Sequence, residues 1–327
     1  MLKFIVQRLI SMVVMMFLIS IAAFIIIQLP PGDFLTTLVA SLQKGNEISQ
    51  EQIEFLTRQF GLDQPIYVQY WRWISGIIFH GDFGYSFQWR RPVAELMWDQ
   101  LGFTLLLSVS TLLFAWAVSF PIGVFSAVKQ YSVGDYIVSF IGFIGLAIPN
   151  FLLALVLMYV GFKYFGQSVG GLFSPEFRGA PFSLAKLWDL ISHLWIPIIV
   201  IGTARTAELI RIMRANLLDE LNKPYVTTAR AKGLSEWRLI FKYPIRIALN
   251  PFVSTVGWVL PNLVSGAVIV SVVLNLPTVG PLLLNSLQSQ DMYLAGGFIL
   301  LLSILTLAGT IVSDILLAML DPRIRLE

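Results

Sequence analysis

Residues able to do chemistry are few in this chain and gather in one stretch. Cysteine is absent, which excludes disulfides, Cys-ligated zinc, iron–sulfur clusters and thiol catalysis. The two histidines, His80 and His193, lie far apart in sequence, so no His-based metal site is expected. No GxxxxGK(S/T) phosphate loop, HExxH, GxSxG or GxGxxG occurs, so no known motif would let the chain hydrolyse ATP itself. Residues 211–246 stand apart. They hold eight cations (Arg211, Arg214, Lys223, Arg230, Lys232, Arg238, Lys242, Arg246) and three acids (Asp219, Glu220, Glu236), an excess of five positive charges where the whole chain has three. Such a stretch suits a docking surface, or a basic anchor that holds topology.

The elements around it are apolar. The 327 residues are 57% hydrophobic and 13% charged, against about 25% charge in soluble proteins, and mean hydropathy is +0.78. In a bilayer only helices and closed barrels satisfy the backbone. A barrel would show alternating segments of about ten residues, whereas this chain has long continuous runs. An all-α integral membrane protein is therefore expected. Spans of about 20 residues fit residues 9–29, 103–128, 137–162, 194–210, 252–276 and 293–320. In the fourth, Arg205 and Glu208 are placed to pair on one helix face. The first run exceeds a signal-peptide core and is followed by Pro30-Pro31-Gly32-Asp33 rather than a small-residue cleavage site, so an uncleaved anchor is expected.

Charge orients the bundle. Lys3, Arg8, Lys129, the basic stretch, Arg323 and Arg325 fall on one side, and acids outnumber bases on the other. Both termini and residues 211–246 are then cytoplasmic. The sequence pI of about 9.1 follows from that asymmetry and does not call for nucleic acid.

Two regions are expected: 1–102, an N-terminal span with an outer cap segment, and 103–327, a five-helix core carrying the cytoplasmic loop 211–246. The cap should hold a helix at 49–60 with Ser49 and Gln52 at its start. An aromatic piece at 67–79 (Tyr67, Tyr70, Trp71, Trp73) should sit at the membrane boundary, and a short helix should follow at 92–101. Residues 166–193 read as a second outer loop. Within the basic stretch, 222–231 is expected to be a helix with Pro224 in its first turn. Gly233 stops it, and Ser235 caps a second short helix bearing Arg238 and Lys242 on one face. Tyr225, Val226, Ala229 and Leu234 offer apolar surface to a partner, and Ala229, Ala231 and Gly233 permit close approach.

The run Tyr225-Val226-Thr227-Thr228-Ala229-Arg230-Ala231-Lys232-Gly233-Leu234 resembles the cytoplasmic EAA loop of ABC-importer permeases. The whole chain resembles the dipeptide/oligopeptide permease family, in the branch of the first of its two paired permeases. The likeness includes Met1-Leu2-Lys3-Phe4 to Arg8-Leu9, Pro31-Gly32-Asp33, Gly61-Leu62-Asp63-Gln64-Pro65 with Gln69-Tyr70, and Gly81-Asp82-Phe83-Gly84-Tyr85-Ser86. It continues through Arg91-Pro92-Val93, Pro121-Ile122-Gly123 and Asp321-Pro322-Arg323-Ile324-Arg325. Thr227-Thr228-Ala229 stands where the motif has Glu-Ala-Ala, and Tyr243-Pro244-Ile245-Arg246 replaces its distal Ile-x-Leu-Pro.

The resemblance implies a six-transmembrane helix bundle of the type I importer kind in a bacterial or archaeal cytoplasmic membrane. It implies a coupling helix (Tyr225, Val226, Thr228, Ala229, Arg230, Ala231, Lys232, Gly233, Leu234) docked on an ATPase subunit. The implied partners are a homologous second permease, two ABC ATPases and an extracytoplasmic substrate-binding protein. ATP and Mg2+ would belong to the ATPases, with no cofactor in this chain. Cargo would be short oligomers: peptides by family default, with oligosaccharides suggested by Pro30-Pro31-Gly32-Asp33-Phe34 and Val273-Leu274-Asn275-Leu276-Pro277. Asn150, Trp258, Pro261 and Asn262 are candidates to line the pathway. Pro261 can kink its span and Asn262 is polar within the bilayer, although such residues also glue membrane helices together. A stand-alone secondary transporter and an integral-membrane enzyme are the alternatives. Both call for more intramembrane ionisable groups than Arg205, Glu208 and Asp314.

Overall fold

The computed structural model describes residues 2–28, 64–86, 88–168, 170–258 and 268–320. They divide into two compact units: Met1–Val6, Thr104–Pro277 and Thr306–Glu327 in one, and Gln7–Phe103 and Thr278–Leu305 in the other. Among the described residues four helices are long and apolar enough to cross a membrane, at Val6–Ile26, Val93–Val128, Leu184–Leu221 and Met292–Met319. A bent pair, Val133–Ala147 and Asn150–Phe165, makes a fifth crossing if taken as one span.

The first unit is organised on a helix longer than the sequence led one to expect. We label in chain order α1 (Leu2–Gln28), α2 (Ile66–His80), α3 (Val93–Val128), α4 (Val133–Ala147), α5 (Asn150–Phe165) and α6 (Leu184–Leu221). The 38 residues of α6 extend about 57 Å at 1.5 Å each, well beyond the expected 194–210. Its start is set by Ser183, whose side chain accepts from the Lys186 amide. Residues 184–193, expected in a loop, are therefore helical. At the other end no Gly or Pro interrupts 211–221, and Leu209, Met213 and Leu217 recur every fourth residue on one buried face. The first part of the basic stretch is thus helix rather than loop. Arg205 and Glu208 lie one turn apart on α6 without a direct ion pair.

Against α6 pack α4, α5, α9 (Pro244–Ala248), α10 (Asn250–Ser254) and α11 (Val268–Val273). The expected span over 137–162 is bent by 99° between α4 and α5. Pro149 explains the break. It has no N–H to extend α4, and it drives Ile148 into an extended conformation (φ −79°, ψ 122°). The expected span over 252–276 also starts irregularly, α10 passing into a 3-10 turn at Thr255–Trp258. Residues 259–267 lie outside the described residues. The connection after α5 is pinned rather than loose. Ser174 donates its backbone N–H and hydroxyl to Asp189 at 2.8 and 2.7 Å, Gly171 donates to the Leu274 carbonyl at 2.6 Å, and buried His193 meets Ser168 at 3.2 Å.

In the second unit, Ala23 and Phe24 of α1, Trp73 of α2 and Leu300 of α12 (Met292–Leu320) share a core. Phe24 meets Tyr70 edge-on at 5.5 Å, and the Ser20 and Tyr70 hydroxyls bond at 2.8 Å. The aromatic segment expected at 67–79 is α2, with Trp73 inward and Tyr67, Trp71 and Phe79 outward. A short hairpin pairs two two-residue strands, β1 (Tyr85–Ser86) and β2 (Arg91–Pro92). Gly84 precedes it at φ +96°, and a Cβ there would meet the Tyr293 ring at 2.9 Å. Ser86 donates to Asp291 at 2.5 Å. The short helix expected at 92–101 is not separate: α3 runs unbroken through Gly102 and Pro121, a single mid-helix glycine costing only about 1 kcal/mol. The helix expected at 49–60, with Ser49 and Gln52, lies outside the described residues.

Candidate coupling surface

After α6 the chain turns at Asn222 and Lys223 into α7 (Pro224–Ala231), with Pro224 at the first helical position, where a missing N–H costs nothing. Tyr225 donates to Glu220 at 2.5 Å. Burial and this bond raise the phenol above its usual range. Gly233 then takes φ +78° with open space where a Cβ would stand, so backbone conformation alone demands glycine. Its N–H bonds Arg230 O at 3.0 Å and that of Leu234 reaches Ala229 O at 3.4 Å, closing the helix as a left-handed C-terminal turn does. Next comes α8 (Glu236–Lys242). Ser235 stands at its N-cap position as expected, but its side chain makes no capping bond.

Across the Gly233 turn, Arg230 grips Glu236 through two bonds at 2.5 and 3.2 Å. The contact pulls the Glu236 carboxyl below its ordinary range and raises Arg230. Both side chains are solvated, so this bidentate pair sets geometry more than stability.

Burial sorts the nine expected docking residues. Val226 and Ala229 point inward, sharing a core with Leu209, Met213 and Leu217 of α6, Leu239 and Ile240 of α8, and Ala115, Val124 and Ala127 of α3; Tyr225 and Leu234 pack against the same cluster. The sequence expects these four to face a partner. The chain itself covers Val226 and Ala229 and half-covers the other two, because their spacing matches the apolar face of α6. Thr228, Arg230, Ala231, Lys232 and Gly233 face outward. The result is a rigid knuckle, apolar underneath and small or basic on top.

A second polar cluster was missed in the sequence. Buried Asp135, near the start of α4, takes two bonds from Arg214 of α6, at 3.0 and 2.9 Å. It accepts also from Ser126 of α3 and from the Tyr131 amide. The available signal was Ser132-x-x-Asp135 at a helix start, and Ser132 does accept from the Asp135 amide at 3.2 Å. Arg214, counted as part of the basic stretch, is thus a structural tie between α3, α4 and α6.

Of the candidate pathway residues, Asn150 opens α5 at the 99° bend and is half-buried, and Trp258 ends the 3-10 turn after α10. Pro261 and Asn262 lie outside the described residues.

Comparison with known proteins gives this geometry a family. Residues 119–326 match the family "Binding-protein-dependent transport system inner membrane component", and residues 1–108 match its N-terminal companion. The oligopeptide transport system permease protein AppB of Bacillus subtilis is 36% identical over 98% of both chains. The glutathione transport system permease protein GsiC of Escherichia coli K12 is 32% identical over 99% of both. A chain of the MetNI methionine ABC transporter, in an inward-facing structure, aligns with a TM-score of 0.49 and 17% identity, covering 69% of this chain and 97% of that one. Both family matches fall on a multi-pass helical chain, and the chain belongs to the binding-protein-dependent transport system inner membrane components, as a transmembrane permease subunit of an ABC importer.

Proposed function

We propose that the knuckle α7–Gly233–α8 is the coupling element of this permease and that it docks on an ATPase subunit through Thr228, Arg230, Ala231, Lys232 and Gly233. The observation carrying this reading is the division of the knuckle into a buried underside, continuous with the core of α6, and an exposed small-residue top. A push on the top must move α6, because Val226, Ala229 and Leu239 are close-packed with it. ATP binding in the partner would bias that packed element between two arrangements, as ligand-driven switching requires.

The chain supplies no catalysis in this reading. A second permease, two ATPases using ATP and Mg2+, and an extracytoplasmic binding protein complete the importer, and the binding protein docks on the outer segments. The termini and the knuckle are cytoplasmic by the charge asymmetry. The region 1–102 is the N-terminal span with its cap, and 103–327 the permease core. Cargo is peptide: relatives named for oligopeptides and glutathione favour it over the oligosaccharides suggested by residues 30–34 and 273–277.

ATP-driven peptide uptake by the reassembled importer tests the reading. Ala231→Arg and Gly233→Pro should insert normally yet lose ATPase assembly or coupled uptake. Ala229→Arg is unsuitable, since it would place a charge in the core. Full uptake by both variants would remove the knuckle from the mechanism.

A further inference from the structure

The face of α8 and α9 beside the knuckle has a chemistry of its own. Trp237 and Phe241 lie 66% and 53% exposed, with ring centroids 6.0 Å apart. Ile247 is exposed with them. Arg238, Lys242 and Arg246 are exposed on the same two helices, and none pairs with an acid among the described residues. The acid nearest in sequence, Glu236, is held by Arg230. Leu239, Ile240, Ile245 and Ala248 fill the inner side. Lys242 also lies over the Tyr243 ring at 5.4 Å, and exposed aromatics beside cations that no acid neutralises are what an anionic bilayer surface binds.

Position agrees with chemistry. Leu239 and Ile240 belong to a core that includes Leu209, Met213 and Leu217 of α6, the last two lying one to two turns beyond Ile210, where the apolar run ends. That offset is about 5–10 Å at 1.5 Å per residue, against headgroup regions roughly 5–8 Å deep on each side of the hydrocarbon. The chain then begins its next apolar run at Phe252, so α8 and α9 must stay close to the bilayer.

We propose that α8 and α9 form an anionic-lipid anchor: Trp237, Phe241 and Ile247 enter the headgroup layer while Arg238, Lys242 and Arg246 hold phospholipid phosphates. The anchor would be the fulcrum against which the exposed top of α7 is moved. It rests on the cytoplasmic placement of the knuckle proposed above, but not on ATPase docking.

The absence of native cysteine makes the test clean. A nitroxide is attached at Phe241→Cys, and separately at Trp237→Cys, in the intact importer in phosphatidylethanolamine–phosphatidylglycerol liposomes. Collision with oxygen should exceed collision with a water-soluble nickel chelate at both sites, with and without the ATPases. Replacing the lipid by phosphatidylcholine, or adding Arg238→Gln, Lys242→Gln and Arg246→Gln together, should shift both labels toward the chelate. Labels open to the chelate throughout would overturn the anchor, as would labels shielded only when the ATPases are bound, which would make the face a protein contact. ATP-driven uptake in the same vesicles separates the two proposals, since normal uptake with chelate-exposed labels would end the anchor and leave the coupling reading standing.

Discussion

Gly233 holds the knuckle by conformation rather than by space. At φ +78° with nothing near its absent Cβ, Gly233→Ala should cost about 1–2 kcal/mol, and Gly233→Asn less, because asparagine tolerates this region. Thermal unfolding of the purified importer, read at both substitutions, checks the order. Glu236 makes a pH prediction. Its folded value is depressed by Arg230, so its contribution is present above the unfolded carboxylate pKa and lost as pH falls through the folded one. Hydrogen exchange of the α7–α8 peptide, corrected for intrinsic rates, should lose protection as wild type is acidified. Glu236→Gln should show reduced protection at neutral pH and a flat profile over the same acid range.

At the scale of elements, two junctions carry the packing of α6. Asp135 is buried and receives four donors, Arg214 providing two of them. Removing one member of a buried pair strands the other. Asp135→Asn should therefore destabilise by about 3 kcal/mol, the low end for buried pairs because Arg214 is partly exposed. Adding Arg214→Gln should recover part of that loss in a denaturation double-mutant cycle. The other junction is Pro149. Pro149→Ala restores an N–H and relieves Ile148, so the 99° bend should open. Spin labels at Phe140→Cys and Leu155→Cys, both exposed, should move apart in distance measurements.

For the whole molecule, the prediction is mechanical. Variants on top of the knuckle, such as Lys232→Glu, should weaken ATPase assembly with little effect on the permease's own unfolding. Variants underneath, such as Val226→Ala, should cost about 1.5–3 kcal/mol of stability through two lost buried carbons and the cavity left in the core. Co-purification and thermal unfolding on the same preparations separate the two sets.

Much of this was legible in the chain. Long apolar runs announced membrane helices, because a bilayer leaves the backbone no other open choice. Pro224 and Gly233 announced two short helices, because each residue restricts the backbone locally. Charge asymmetry carries the proposed orientation, and the ordered motifs pointed to the family that the comparisons bear out. What needed tertiary structure was every question of partnership. Whether Val226 and Ala229 meet an ATPase or the chain's own core depends on α6 running on to Leu221. Whether Arg214 is a free charge or a tie depends on Asp135, distant in sequence, arriving beside it. Local residue chemistry determines which helices form and where they stop; which face of each is left for another molecule is decided only when the helices pack, since burial belongs to pairs of elements and not to either alone.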